Sequence, residues 1–343
     1  MLRLSGTDKF IKSKINLFNW DFIGRVVLKV LIVGAGGQDG NLLTQISLQH
    51  GNTVIGIVHR STDDQERVPN CEVLVKDFTD KEQCKLVLDQ IMPDIIFHLA
   101  ASHASSSKMI EFQENNSIEI YHSSVGISRN ILSWQESNLS SRSVIALSSH
   151  MYSGMSSDHL VNEDCVPFPL TDYGKAKAET FSLIKEYRRL FGVNSCGAIL
   201  FNHSSIFGRS DFIYPNLANQ ICNVLLNKSK EIILKNFEAR LDISDAEEIC
   251  AAMYKMSQHI PLEDFVLGSG QAEVIREITL RVLEHLNAPT GIKLISTEKS
   301  THSSPVLTSD IRKAKGILGW NPEIDAVTLL MKLVNQQLSK QQI

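Results

Sequence analysis

KVLIVGAGGQDG, residues 29–40, is the stretch on which the reading of this chain turns. An apolar run ends abruptly in glycines, the mark of a buried strand entering a tight turn. Gly34, Gly37 and Gly40 stand at G-x-x-G-x-x-G spacing. That spacing lets the backbone turn sharply, approach a pyrophosphate closely and open a helix whose first amides face the anion. By itself the pattern fits an ordinary glycine-rich turn equally well, so the chain downstream decides.

Working outward, Asn41–Gln49 has helical apolar spacing and closes at Gly51, and Thr53–Val58 is a second strand. It ends at His59, Arg60 and Ser61, where a dinucleotide fold meets the adenosine ribose. The acid that usually holds a free 2′-hydroxyl is missing. Arg60 offers a planar cation suited to a 2′-phosphate, which favours NADP over NAD; the alternative is a solvated arginine beside Asp63 and Asp64. Cys71–Lys76 reads as a third strand closed by the Asp77-Phe78 turn, with a helix over Lys81–Gln90. Asp94–Ala101 is a buried strand, and its end at Leu99, Ala100 and Ala101 is small enough for a cofactor to lie against. A helix over Ile118–Ser137 and a fifth strand over Arg142–Ser149 complete the alternation. Strands and helices alternating over short loops predict a Rossmann-type, doubly wound parallel α/β sheet.

Length and composition bound the remainder. A chain of 343 residues has room for a large sheet domain and a smaller lobe. With 34 basic and 38 acidic residues and no long basic run, neither nucleic acid nor an anionic membrane is indicated. Six scattered cysteines without a C-x-x-C pair suit buried thiols in a reducing, cytoplasmic setting, and no Cys/His/carboxylate cluster has metal spacing. No apolar run approaches the roughly 20 residues of a membrane span. Residues 1–28 read as an N-terminal extension, either a short amphipathic helix or a tail from an upstream start. The expected division is a cofactor domain over 29–200, to which 236–262 returns, and a C-terminal α/β substrate lobe over 201–235 and 263–343. In that lobe Asn216–Asn227 and Ala272–Asn287 read as amphipathic helices, Glu231–Leu234 and Asp264–Gly268 as strands.

Two signals carry chemistry. The fifth strand ends in Ser148, Ser149 and His150, and Tyr173 and Lys177 follow four apart on one helix face. An ammonium there favours the tyrosinate and pulls its pKa from about 10 toward working pH, so that Tyr173 exchanges a proton with a sugar hydroxyl or ketone. Ser148 is placed to hydrogen-bond the same oxygen.

With these parts in place the chain resembles the extended short-chain dehydrogenase/reductase family, most closely its GDP-mannose 4,6-dehydratase branch. The resemblance spans roughly Lys29–Pro322 and is carried by GQDG at 37–40, GIVHRS at 56–61, the Asp77 turn, HLAAS at 98–102, Tyr173/Lys177, ILFNHSS at 199–205 and the closing DIRKAKGILGWNP at 310–322. It implies a tightly held NADP, a nucleotide-diphosphate sugar as substrate and assembly as a homodimer or homotetramer. It also implies cofactor contacts at Gln38, Asp39, Asp77, Phe78 and His203, and substrate contacts at Ser102, Ser149 and Asn202, with Arg209 and Arg240 as diphosphate cations. Hydride leaves C4 for the cofactor, water is eliminated across C5 and C6, and the hydride returns to C6.

The departures keep other readings open. His150 stands where the branch has its glutamate base. Leu241 occupies the register of an arginine that grips the substrate phosphate, leaving Arg240 one place early, and STHSSP at 300–305 replaces a late Arg-Pro. An NADPH-dependent 4-keto-6-deoxy nucleotide-sugar reductase, an epimerase, or an inactive cofactor-binding protein are the alternatives to a dehydratase.

Overall fold

The computed structural model describes residues 27–59, 68, 70–102, 116–156, 158–298 and 306–341. Arg60, most of the N-terminal extension, His103 and 300–305 lie outside the described residues. The elements in chain order are β1 (Lys29–Val33), α1 (Gln38–Gln49), β2 (Thr53–Val58), β3 (Glu72–Val75), α2 (Lys81–Ile91), β4 (Ile95–His98), α3 (Ile127–Gln135), β5 (Arg142–Ser148), β6 (His159–Val161), α4 (Asp172–Phe191), β7 (Asn194–Leu200), β8 (Asn202–Ser204), α5 (Ile213–Leu225), β9 (Glu231–Leu234), β10 (Arg240–Asp245), α6 (Ala246–Gln258), β11 (Phe265–Leu267), β12 (Ala272–Val274), α7 (Ile275–His285), β13 (Lys293–Ser296), β14 (Leu307–Ser309), α8 (Arg312–Leu318) and α9 (Ala326–Gln341).

Seven parallel strands form the main sheet in the order β11-β7-β5-β4-β1-β2-β3. β1 sits at its centre because its side chains are apolar on both faces. Val30 and Ile32 pack with Leu42, Leu43, Ile249 and Met253 of α1 and α6. Leu31 and Val33 pack with Leu88, Ile131 and Trp134 of α2 and α3 on the other face. The strand order reverses between β1 and β4, which opens a crevice at the carboxyl ends of these strands.

A second core joins α5, α7 and α9, with Leu217, Ile221, Val282, Leu330 and Val334 buried together. The three-stranded β12-β10-β8 sheet lies beside it. Two expectations need correction. Ala272–Val274 is a strand antiparallel to β10, and the helix starts only at Ile275; three residues are too few for the period of a strand to show. β11 forms the outer strand of the main sheet, and Ile311, Ala314 and Trp320 pack into the same core. Residues 265–267 and 311–320 therefore belong to the main sheet and its core, where the sequence placed them in the lobe.

Candidate active site

The carboxyl ends of β1, β4, β5 and β7 open into a cavity of about 940 Å³ that extends to β8 and α5. Its floor is the glycine turn. Gly34 has φ +93° and a Cβ there would meet the Ala100 amide nitrogen at 2.8 Å, so only glycine fits. Gly34, Gly36 and Gly37 line the cavity. Gly37 caps α1 without any side-chain bond to the helix amides, and among the described residues a Cβ there would touch only the Gly34 carbonyl at 3.4 Å, extending into the cavity that Gly37 lines. The Gly34 and Gly37 amides are taken by the Ile57 and Gly34 carbonyls, so what the cradle offers an anion is the N-terminus of α1, which fits a dinucleotide pyrophosphate. Gly40 turns away from the cavity: a Cβ there would clash with Gly34 and Ala35 backbone, and it holds α1 against β1.

At the end beside β2 and β3 the cavity is lined by His59, Lys76, Asp77, Phe78 and Thr79. Asp77 accepts from the Thr79 amide at 2.9 Å and hydroxyl at 2.6 Å. Burial opposes its ionisation, but the Thr79 bonds outweigh that and hold its pKa below the ordinary value. Lys76 was missed in the sequence; its place at the end of β3, directly before the Asp77 turn, was the available signal. Leu99, Ala100 and Ala101 form the wall beyond β4, and Ser102 follows, its amide donating to Ser123 Oγ at 2.9 Å.

The catalytic candidates converge. The Thr171 hydroxyl accepts from the Gly174 amide at 3.0 Å, fixing the start of α4 and holding Tyr173 in its first turn. Tyr173 and Ser148, at the end of β5, are hydrogen-bonded, and both line the cavity. Lys177, only 2% exposed, donates to the Ala146 carbonyl at 2.8 Å with its ammonium 5.7 Å from the Tyr173 ring centroid. His150 sits in the short 3-10 turn after β5, edge-on to Tyr173 at 5.6 Å between ring centroids, with its pKa lowered by burial. Ser149 lies beside it.

One expectation is reversed. Tyr173 is pushed up to about 12, burial outweighing its bond from Ser148, and Lys177 is pushed down to about 8 by burial. Desolvation disfavours both charged forms here, so the tyrosine rests as a neutral acid instead of a tyrosinate.

The substrate candidates divide. Asn202 and Arg209 line the cavity with Phe207 and Phe212, two aromatics the sequence did not single out. Arg209 forms a two-point ion pair with Asp211, at 3.1 and 2.8 Å, and lies over the Phe212 ring. Arg240 is not brought to the cavity. It opens β10 opposite Val274, and its guanidinium meets Asp158 at 3.4 Å and the Ala272 carbonyl at 3.4 Å. Glu119 and His122 also line the cavity, from the helix over 116–135 that contains a π turn at His122–Gly126; π turns recur at functional sites. Gln38, Asp39 and His203 line it too, bonded to one another's segments. Among the described residues no cluster of three or more metal-ligating side chains forms and no helix is long and apolar enough to cross a membrane.

Comparison with known proteins agrees with this geometry. Residues 31–333 match the family model described as GDP-mannose 4,6 dehydratase. The GDP-mannose 4,6-dehydratase of Sinorhizobium fredii is 25% identical over 344 residues, covering 90% of this chain and 96% of that protein. The fold is also that of dTDP-glucose 4,6-dehydratase from Bacillus anthracis in complex with NAD, with a TM-score of 0.77 at 15% identity over 92% of this chain and 98% of that one. RMD from Pseudomonas aeruginosa complexed with NADPH gives a TM-score of 0.74 at 17% identity, over 91% and 100%. The chain belongs to the GDP-mannose 4,6-dehydratase family, a family of enzymes.

Proposed function

We propose that this protein is an NADP-dependent nucleotide-sugar 4,6-dehydratase acting on GDP-mannose or a close relative. The observation that carries the reading is the convergence of Ser148, Tyr173, Lys177 and His150 at the mouth of the glycine cradle. The cradle of Gly34, Gly36 and Gly37, the Leu99–Ala101 wall and the Asp77 turn would hold a nicotinamide dinucleotide, with Lys76 and His59 on the side of the adenosine ribose. Bound there, the group supplies reversible two-electron redox chemistry, with no net change over a dehydration.

This chain's own residues handle the protons. Tyr173 serves as a base only after releasing its own proton to solvent: its oxyanion then takes the proton of the sugar O4 as C4 is oxidised, with the Ser148 hydroxyl orienting the same oxygen. The Lys177 ammonium favours the oxyanion form whenever Tyr173 gives up its proton. His150, kept neutral by burial, is the base for the C5 proton once C4 is a ketone; the C6 hydroxyl leaves as water. Asn202 and Arg209 face the substrate diphosphate, and gripping it requires Arg209 to loosen from Asp211.

The second reading, a 4-keto reductase or epimerase, is favoured by His150 in place of a glutamate and by Leu241 in place of a phosphate-gripping arginine. Purified protein given GDP-mannose and NADP should form a 4-keto-6-deoxy product without net cofactor consumption. Stoichiometric NADPH loss on a supplied 4-keto-6-deoxy sugar nucleotide, with no reaction on the hexose, would select the second reading instead.

A further inference from the structure

Gln38 and Asp39 open α1 directly after the glycine turn, where polar side chains have free access to bound phosphates. They reach instead across to β8. The Gln38 side-chain carbonyl accepts from the Ser205 amide at 2.8 Å and its hydroxyl at 3.1 Å, and the Gln38 amide group donates to Asp39 at 3.1 Å. The two Asp39 oxygens stand 3.2 and 3.0 Å from His203 Nε2. The other ring nitrogen, Nδ1, lies 2.7 Å from the Phe201 carbonyl. Burial opposes ionisation of Asp39, but His203 and Gln38 outweigh it and lower its pKa; an ionised carboxylate and a carbonyl have no proton to give, so both ring nitrogens carry hydrogen and the ring is an imidazolium. The pair is largely shielded, with side chains 15% and 19% exposed.

We propose that Asp39 and His203 form a charged clasp that registers β8 against the glycine turn, making His203 a positioning residue between the cofactor and substrate sides of the cavity. β8 supplies Asn202 and Ser204 to the cavity wall. On one side it is held by its parallel pairing with Ile243–Asp245 of β10; the clasp ties it to the dinucleotide turn. A change at one ligand seat therefore shifts the other through two side chains instead of through the whole core.

The surroundings hold the ring charged over a wide range. Burial opposes the charge, but Asp39 and the Phe201 carbonyl outweigh it and carry His203 up to about 9. From β10, Asp245 adds attraction, itself held by Lys332 at 2.8 Å, which also meets Glu247 at 3.1 Å. On α6 the Cys250 thiol, 3.7 Å from the Asp39 carbonyl, is kept protonated by burial. On α4 Tyr173 stays neutral for the same reason. Lys177 loses its proton in the neighbouring range, near 8, so a binding profile alone would not separate the two.

The test reads His203 directly. Side-chain NMR of the full chain, with His203→Gln for assignment, should show both ring nitrogens protonated at neutral pH and titration near 9; a single-tautomer neutral ring at neutral pH overturns the clasp. In Asp39→Asn the titration should fall toward the ordinary value of about 6.5, and calorimetric affinity for GDP-mannose should drop about tenfold. The double variant Asp39→Asn/His203→Gln keeps a neutral hydrogen bond across the same gap and should recover most of that affinity. An unmoved titration, or no recovery, contradicts the proposal. The binding arm rests on the sugar-nucleotide reading: if wild-type protein ignores GDP-mannose, that reading fails, and the clasp stands or falls on the titration.

Discussion

Two alanine substitutions in one loop should fail in different ways. At Gly40 a Cβ would sit 2.6 Å from both the Cα and the carbonyl oxygen of Ala35, with the Gly34 carbonyl nearer still, against an ordinary contact distance that begins near 3.4 Å. All of these atoms are backbone, so no side chain can yield. The glycine turn and α1 must separate by more than about 0.8 Å, and overpacking of this kind costs about 1–3 kcal/mol. Gly40→Ala should lower the melting temperature by about 1–4 °C and weaken cofactor binding as a secondary effect. At Gly37 the only neighbour among the described residues is the Gly34 carbonyl at 3.4 Å, so Gly37→Ala should leave melting within about 1 °C. Its methyl instead occupies the approach to the anion, and NADP affinity should fall about tenfold or more. Calorimetric melting and NADP titration of both variants give the comparison. A Gly40→Ala protein with wild-type melting, or a Gly37→Ala protein with wild-type affinity, refutes the assignment of one glycine to packing and the other to the ligand.

Tyr173→Phe should lose about 10²–10⁴-fold in turnover while NADP binding, measured by calorimetry, stays within a few-fold; a protein without catalysis would show no turnover difference. Lys177→Met removes a buried ammonium that burial drives down to about 8, so it should raise the unfolding free energy from chemical denaturation by as much as about 3 kcal/mol and abolish turnover; a destabilised Met variant would show the ammonium to be well solvated. The raised titration of His203 contributes stability that is fully present below about pH 6.5 and lost as pH rises through about 9. Its size is about 3 kcal/mol, so wild type and His203→Gln should differ most in urea midpoint at about pH 6 and converge above the titration.

The sheet was legible because its signal is long and repeated. The strand expected over Thr53–Val58 is β2 residue for residue, and Arg142–Ser149 overran β5 by one. Polar punctuation fixed these ends: Asp80 caps α2 through the Gln83 amide and Gly192 closes α4 in the left-handed region. The short strands β6, β8, β12 and β14 have three residues each, less than two periods, and their pairing partners lie far away in sequence. The meeting of Tyr173 with Ser148 was legible from a helix face and a strand end. The reversal of the Tyr173 titration was not, because desolvation depends on how deeply both side chains sit. Arg240 was misplaced for a similar reason: its side chain is drawn away by Asp158, which is 82 residues distant in sequence.

The central claim is that the redox chemistry of this site serves an elimination. The most direct measurement is the mass of sugar nucleotides recovered after incubation with the purified protein and a catalytic amount of NADP, starting with GDP-mannose. Loss of one water from the sugar nucleotide, with cofactor unchanged at the end, is the predicted result. Unchanged mass across a panel of nucleotide-hexoses, or a gain of two hydrogens on a supplied 4-keto-6-deoxy sugar nucleotide with equal loss of NADPH, would contradict it.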